Sequence, residues 1–572
     1  MLTAIFLVCA ILFFAAYFTY GRFLERRLGI DNNRPTPSHT DYDGVDRVPA
    51  HPAVLFGHHF SSISGAGPVV GPIIAAVAFG WAVPLVWVVV GAIFIGGAHD
   101  FAALVASIRN RARSIADIAR ESMSPLAYRL LLIFMWLALV YVLTVFTDLT
   151  ATTFVEDGGV AASSWLFVAL AICFGLSIYR LKIPVVWSTL VFVPLVFLAT
   201  WVGQLMPISS SWITSTLGLS PVKAWAVVLI VYCFVASVTP VWILLQPRDY
   251  LSSFLLYASM LLGLVGILFG GFDVQFPAFI TWNAAGIGPL FPIVFITVAC
   301  GACSGFHSLV ASGTTSKQLD KENHARTVGY GAMLVEGMVA VIALATVMML
   351  APDNALANKP PLTVYGTGIS RFAAVIGIPE KLGFSFGLLA LSTFILTTLD
   401  TATRLGRYIF EEFFQMRPGS ARYGATLATL ALPTVFALIT LTDAQGQPIP
   451  AWKAVWPVFG ATNQLLAGLT FVVLAVWLRK TARKTGFIWA PLAFMTAATL
   501  YALVLLIQQY GLSLIGAIAI VLLALAILLI VEAVRTNLLR SAGGERSGEV
   551  QRKEQLSCGG NRDQSNSGKF QE

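Results

Sequence analysis

The 572-residue chain is 57% hydrophobic and only 11% charged, with a formal net charge of +8 and a mean hydropathy of +0.80. Soluble domains carry about 25% charged residues, so a water-solvated globule is excluded and one large bundle in a bilayer is expected. The positive balance does not point to nucleic acid, because the basic residues sit in short loops between apolar runs, where they set membrane topology.

A spanning helix needs about 20 mostly apolar residues. Runs of that kind lie near 2–20, 57–80, 83–107, 127–151, 162–178, 184–206, 221–243, 250–271, 289–313, 326–350, 383–403, 423–443, 452–478, 487–508 and 512–535. Only helices or a closed barrel satisfy the backbone in lipid, and these runs are too long and too uniformly apolar for barrel strands. The expectation is an all-α bundle of about fifteen spans. With the N-terminus outside and alternating sides, 30 of the 36 Lys and Arg fall in internal loops. The positive-inside rule therefore favours N-out and C-in. Residues 2–20 read as a retained first helix, since no basic stretch precedes them and Arg22, Arg26 and Arg27 follow. Residues 30–50 read as a polar inner loop and 352–382 as the largest external loop. The membrane domain is expected over 1–538. The tail 539–572, rich in Gly, Ser, Arg, Glu and Gln, cannot bury a core and is expected to be a disordered cytoplasmic segment.

In chain order, several spans break the apolar rule, and such places mark function. The first is Gly57-His58-His59-Phe60-Ser61-Ser62-Ile63-Ser64 running into Gly65-Ala66-Gly67-Pro68-Val69-Val70-Gly71-Pro72. Proline removes a donor and clashes with the preceding turn, so an unwound or kinked helix is expected. Freed carbonyls and amides there could bind an ion or a carboxylate; a Pro kink with Gly packing is the alternative. His99-Asp100 comes next, an intramembrane carboxylate that must be neutral, paired or hydrated. Asp148 stands near an outer end, and Asp249 beside Arg248 reads as a loop salt bridge.

Cys300-Gly301-Ala302-Cys303-Ser304-Gly305-Phe306-His307-Ser308 is the second broken segment. Cys300, Ser304, Ser308 and Ser312 recur every four residues, as on one helix face, and Gly301 and Gly305 permit close helix approach. Tight packing competes with function here, and His307 favours function. The Cys300–Cys303 spacing matches a redox motif, but inside a span these read as small packing residues. Glu336 lies near mid-span. Asp400 sits at a helix end before Arg404 and Arg407, where an interfacial ion pair competes with a coupling role. Asn463-Gln464 reads as a helix bridge or a substrate contact. The two broken segments fall on spans of opposite direction, and paired interrupted helices in inverted repeats point to a transport site.

The stretches GHHFSSISGAGPVVGP (57–72), DFAALVASIRNRARS (100–114), TPVWILLQPRDYLSSF (239–254), CGACSGFHSLVASGTTSKQL (300–319), GYGAMLVEGMVA (329–340), TTLDTATRLGRYIFEE (397–412) and WPVFGATNQLLAG (456–468) keep their order along most of the chain. In them the chain resembles the carbon starvation protein A (CstA) family. The resemblance implies an inner-membrane secondary transporter of the amino acid–polyamine–organocation superfamily, with a LeuT-like inverted-repeat core, taking up peptides or pyruvate when carbon is scarce.

The expected substrate contacts are Ser62, Ser64, Gly65, Gly67, Ser304, Gly305, Ser308 and Asn463. His58, His59, Asp100, His307, Glu336 and Asp400 fall in family motifs and are the candidates for proton coupling, histidine titrating near neutral pH. No cofactor or metal is expected; the coupling ion is the proton, with sodium as the alternative. The partners are a small-molecule substrate and the lipid bilayer, with no nucleic acid. A sensor on a transporter fold and a metal-dependent membrane enzyme are the competing classes. No H-E-x-x-H or G-x-x-x-x-G-K-[ST] motif occurs to favour metalloenzyme or ATPase chemistry.

Overall fold

The computed structural model describes residues 1–44, 47–240, 242–416, 421–442, 447–481 and 483–535, and most of these are helical. The expected tail 539–572 lies outside them. Among the described residues, twelve helices are long and apolar enough to cross a membrane, or thirteen with the bent pair Pro52–Ile63 and Gly67–Phe79 taken as one span. The two further expected spans coincide with the broken run 290–313 and with Ala421–Leu438, so the count of about fifteen is approximate. The strands among the described residues form two short antiparallel pairs, Asn283–Ala284 with Gly288–Pro289 and Leu441–Thr442 with Pro448–Ile449.

An inverted repeat organises the core. A broken helix (Pro52–Ile63, Gly67–Phe79) is followed by a span whose middle, Gly91–Gly96, is wound as a π-helix, and then by the 32-residue helix Pro125–Glu156. The same order returns with Leu290–Thr297 and Gly305–Gly313, the π-helical Arg326–Gly331, and the 34-residue helix Glu380–Phe413. Leu290–Thr297 packs on Gly67–Phe79, while Gly305–Gly313 packs on Pro52–Ile63. The second half of one broken helix thus meets the first half of the other, so the two run antiparallel. The π segments touch as well, Tyr330 Oη donating to the Ile93 carbonyl at 3.2 Å. Such π segments are frequent at functional sites.

The breaks follow from local sequence. Pro68 sits in the first turn of Gly67–Phe79, where its missing N–H costs nothing, and the two halves meet at 42°. A Cβ at Gly67 would lie 2.3 Å from the Cys300 Cβ, so glycine lets the two breaks touch. In the second break Gly301 adopts φ +75°, a left-handed conformation that glycine takes without a Cβ clash, and the chain is unwound from Val298 to Ser304. The spacing of four from Cys300 to Ser312 therefore does not place these residues on one continuous helix face: Cys300 and Ser304 lie in the unwound stretch.

Two loops are more ordered than the sequence suggests. Within the expected external loop 352–382, Pro361–Ala374 is a helix that buries Leu362, Tyr365, Ile369 and Phe372. That spacing of three to four makes one apolar stripe, and it packs on Glu380–Phe413. Described residues of the expected inner loop 30–50 dock on the segment 318–323. Thr36 and Ser38 donate to the carbonyls of Asp320 (3.0 Å) and Leu319 (2.8 Å). Glu322, fully buried, is held by Arg109 at 2.7 Å and Arg34 at 3.2 Å. Around this core, Val185–Leu205 and Leu514–Arg535 turn large apolar residues such as Leu190, Trp201, Val521 and Leu528 outward, as lipid-facing helices do.

Candidate functional site

The two breaks and the first π-helical span bring a charged cluster together at the centre of the bundle. Asp100 follows the π segment Gly91–Gly96, which re-aims the helix Gly97–Arg109. Its Oδ1 is 2.8 Å from His99 Nδ1 and its Oδ2 is 2.8 Å from His307 Nδ1. The far nitrogen of the same ring, His307 Nε2, lies 3.2 Å from Glu336 Oε2. The angle there does not make a hydrogen bond, and both atoms lack a hydrogen-bond partner. The other Glu336 oxygen, Oε1, accepts from the Gly301 amide at 3.2 Å. All four side chains are fully buried. Three of the expected coupling residues, Asp100, His307 and Glu336, thus form one contiguous group, and His99 joins it.

The histidine pair on Pro52–Ile63 points to different partners. His59 Nδ1 bonds Thr315 Oγ1 at 2.8 Å. His58 Nδ1 bonds Asp249 Oδ2 at 3.0 Å, and Ser62 Oγ donates weakly to the same oxygen at 3.5 Å. Asp400 stands apart from the central cluster. It forms an ion pair with Arg248, and Tyr232 Oη donates to its Oδ2 at 2.9 Å. Arg248 and Asp249 are therefore not a loop salt bridge. Both are fully buried at the start of the helix Leu245–Phe269 and pair with different helices. Arg404 and Arg407, expected near Asp400, hold backbone carbonyls instead: Arg404 those of Ala236 and Thr239, Arg407 that of Ser237.

The expected substrate contacts line both breaks. Asn463 Oδ1 accepts from the Phe306 amide at 2.9 Å, and its Nδ2 donates to Ser304 Oγ at 3.0 Å and to Cys300 Sγ at 3.4 Å. It ties the second break to the helix Ala451–Lys480, and Gln464 adds a bond to the Phe295 carbonyl at 3.0 Å. Ser308 Oγ bonds the Gly305 carbonyl and Thr470. Gly305 lies against the Asn463 carbonyl, and Gly65 against Phe146 and Thr398. Ser64 Oγ, buried in the first break, has no hydrogen-bond partner. Thr397 and Thr398 face the first break from Glu380–Phe413, donating to the carbonyls of Ser61 (3.3 Å) and Ser62 (3.5 Å).

Two concavities share Lys317, Gly313 and Tyr408 on their walls. One is a narrow cleft lined by His58, Gln246, Lys317 and Arg404. Next to it is a cavity of about 210 Å³ with Arg47, Arg113, Lys317 and Asp117 on its walls. Burial pushes the Asp117 carboxyl up from the usual range. Of four further participants, Arg248 and Asp249 were expected only as a loop salt bridge, and Tyr232 and Thr315 were not expected to take part. The QPRDY motif carried the signal for the first two, but the span was drawn from 250, which left them outside it.

The family described as carbon starvation protein CstA matches residues 2–377 and 353–502. The peptide transporter CstA of Bacillus subtilis is 30% identical, the match covering 91% of this chain and 94% of that one. The peptide transporter CstA of Campylobacter jejuni is also 30% identical, covering 89% and 81%. The pyruvate/proton symporter BtsT of Escherichia coli is 29% identical, covering 86% and 80%.

Proposed function

This chain belongs to the carbon starvation protein CstA family, and we propose that it is a proton-coupled secondary transporter that imports small carboxylates, pyruvate or short peptides. It sits in the cell's inner membrane with its N-terminus outside and its C-terminus cytoplasmic, as the basic loops require. One observation carries the coupling: Asp100, His307 and Glu336 form a single buried group where two antiparallel broken helices meet. Two carboxylates and an imidazole can gain or lose one proton between them at membrane depth, where an unpaired charge is costly. The substrate carboxylate is held at the breaks by Ser64, Ser304 and Asn463, next to the start of the helix Gly305–Gly313, whose dipole favours an anion. His58 and His59 stand on the proton's way to the inner side. Asp400, fixed by Arg248, positions the two repeats against each other.

The test is uptake of labelled pyruvate, and separately of a labelled dipeptide, into vesicles holding the purified protein under an imposed inward proton gradient. Accumulation that a protonophore abolishes is expected. Absence of accumulation for both substrates would overturn the reading. A sodium-gradient arm belongs in the same experiment, because the Ser61 and Ser62 carbonyls with the Thr397 and Thr398 hydroxyls make an oxygen cluster of the kind that holds Na⁺ at a half-helix end. Accumulation on sodium alone would move the coupling there.

A further inference from the structure

Cys300 extends the central cluster from a proton site to a metal site. One ligand atom each from Cys300, His307 and Glu336 lies within 4.8 Å of the others, and all three residues are buried. His307 Nε2 and Glu336 Oε2 face each other at 3.2 Å without hydrogen-bond partners. Two ligands at about 2.0–2.1 Å from a tetrahedral Zn²⁺ are separated by about 3.3 Å, so these two atoms stand where zinc would need them.

Each ligand is also aimed by a partner, as metal ligands are. Asp100 Oδ2 holds the His307 Nδ1 side at 2.8 Å, so a neutral ring with its proton on Nδ1 presents the Nε2 lone pair. The Gly301 amide holds Glu336 Oε1 and leaves Oε2 directed at the ring. Asn463 Nδ2 donates to Cys300 Sγ at 3.4 Å and fixes where the sulfur lies. A thiolate, an imidazole and a carboxylate select a borderline-soft cation over Mg²⁺ or Ca²⁺, which take oxygen ligands. The thiolate and the Glu336 carboxylate bring two negative charges to a divalent cation, and the Asp100 carboxylate behind the His307 ring adds a third. The thiol proton is released as the metal binds.

We propose that Cys300, His307 and Glu336 bind one thiophilic divalent cation of the zinc class, and that its binding blocks transport. The second half rests on the proton-coupled reading above. A metal on Nε2 takes the lone pair a proton would use. It also ties the unwound segment, the helix Gly305–Gly313 and the helix Ala332–Met348 to one another.

The site is tested on the purified full-length protein loaded with Co²⁺ as a spectroscopic stand-in. One Co²⁺ per chain with a thiolate-to-metal charge-transfer band is expected. Cys300→Ser should remove the band, and Glu336→Gln should weaken binding, in protein whose thermal melting is unchanged. Folded wild type that holds no stoichiometric Co²⁺, or a band that survives Cys300→Ser, would overturn the site.

For the second half, Zn²⁺ should inhibit pyruvate uptake by wild-type vesicles. Cys300→Ser vesicles should transport but need at least about tenfold more Zn²⁺, since losing even an orienting partner weakens metal affinity about 10–100-fold. Equal sensitivity in both would overturn the blocking role. The Co²⁺ spectrum needs no transport. Protein that binds Co²⁺ but accumulates neither pyruvate nor dipeptide would sink the transport reading and the inhibition with it, and leave the site standing. Active transport without Co²⁺ binding would sink the site alone.

Discussion

Two of the groups of buried charge in this bundle differ in whether their charge can change. The central group, Asp100 with His99, His307 and Glu336, is built only of carboxylates and imidazoles, side chains whose charge changes when a proton is gained or lost. The second group pairs Asp400 with Arg248 and Tyr232, and a guanidinium stays charged under all physiological conditions. The first group sits between the two breaks, where the backbone is already unwound. The second joins two unbroken helices, Leu245–Phe269 and Glu380–Phe413. The difference teaches that buried charge in this protein has two uses: a group able to switch is placed at the unwound breaks, and a group with fixed charge fastens the scaffold.

That contrast is tested most severely by removing one member of the fixed pair. Arg248→Met should leave the Asp400 carboxylate buried and uncompensated, a loss of about 3–5 kcal/mol, read as a large drop in thermal stability of the purified protein. Adding Asp400→Leu to the same chain should restore most of that loss, because an apolar pair of similar volume is often neutral. A stable Arg248→Met protein with altered proton coupling would reverse the assignment of the two groups. Asp100→Asn makes the complementary test at the switching group. Substrate counterflow should persist while gradient-driven accumulation falls to the external concentration. Accumulation at the wild-type level would remove Asp100 from the coupling.

Much of this arrangement was legible in the sequence because membrane helices announce themselves by apolar length and functional sites by exceptions to it. The two breaks were readable from clustered Gly, Pro and Ser, and Asp100, His307 and Glu336 from being ionisable inside spans. Their mutual contact was not readable, since it depends on the antiparallel packing of segments about two hundred residues apart. Arg248 and Asp249 were misread for a different reason. They fall at a helix end, where hydropathy alone cannot say whether a charge faces water or the bundle interior. The helix Pro361–Ala374 was missed because it is too short and too polar to span, although its stripe of Leu362, Tyr365, Ile369 and Phe372 was present in the sequence.

A smaller effect is expected where the switching group meets the substrate contacts. Asn463→Ala would deprive the Phe306 amide and the Ser304 hydroxyl of Asn463 Oδ1, to which both donate, leaving buried donors unsatisfied at a cost of about 1–3 kcal/mol. If Asn463 both bridges helices and orients substrate, half-saturation should rise along with the loss of stability. A stability loss with unchanged half-saturation would make it a bridge alone, and would confine substrate recognition to the serines and backbone of the breaks.

The smallest effect separates the interior from the lipid-facing shell. Leu143, 1% exposed on Pro125–Glu156, and Leu190, 61% exposed on Val185–Leu205, are chemically identical and both sit within spans. Truncating Leu143 to alanine opens a cavity among packed side chains and should cost about 2–5 kcal/mol. At Leu190 the neighbours are lipid tails, as apolar as leucine itself, so no hydrophobic driving force between helices is lost. Leu190→Ala should stay within about 0.5 kcal/mol of the parent, measured by thermal melting of both variants in the same detergent. A loss at Leu190 as large as at Leu143 would mean that this face is covered by protein in the native membrane, and the outer helices would then be a second packed interior.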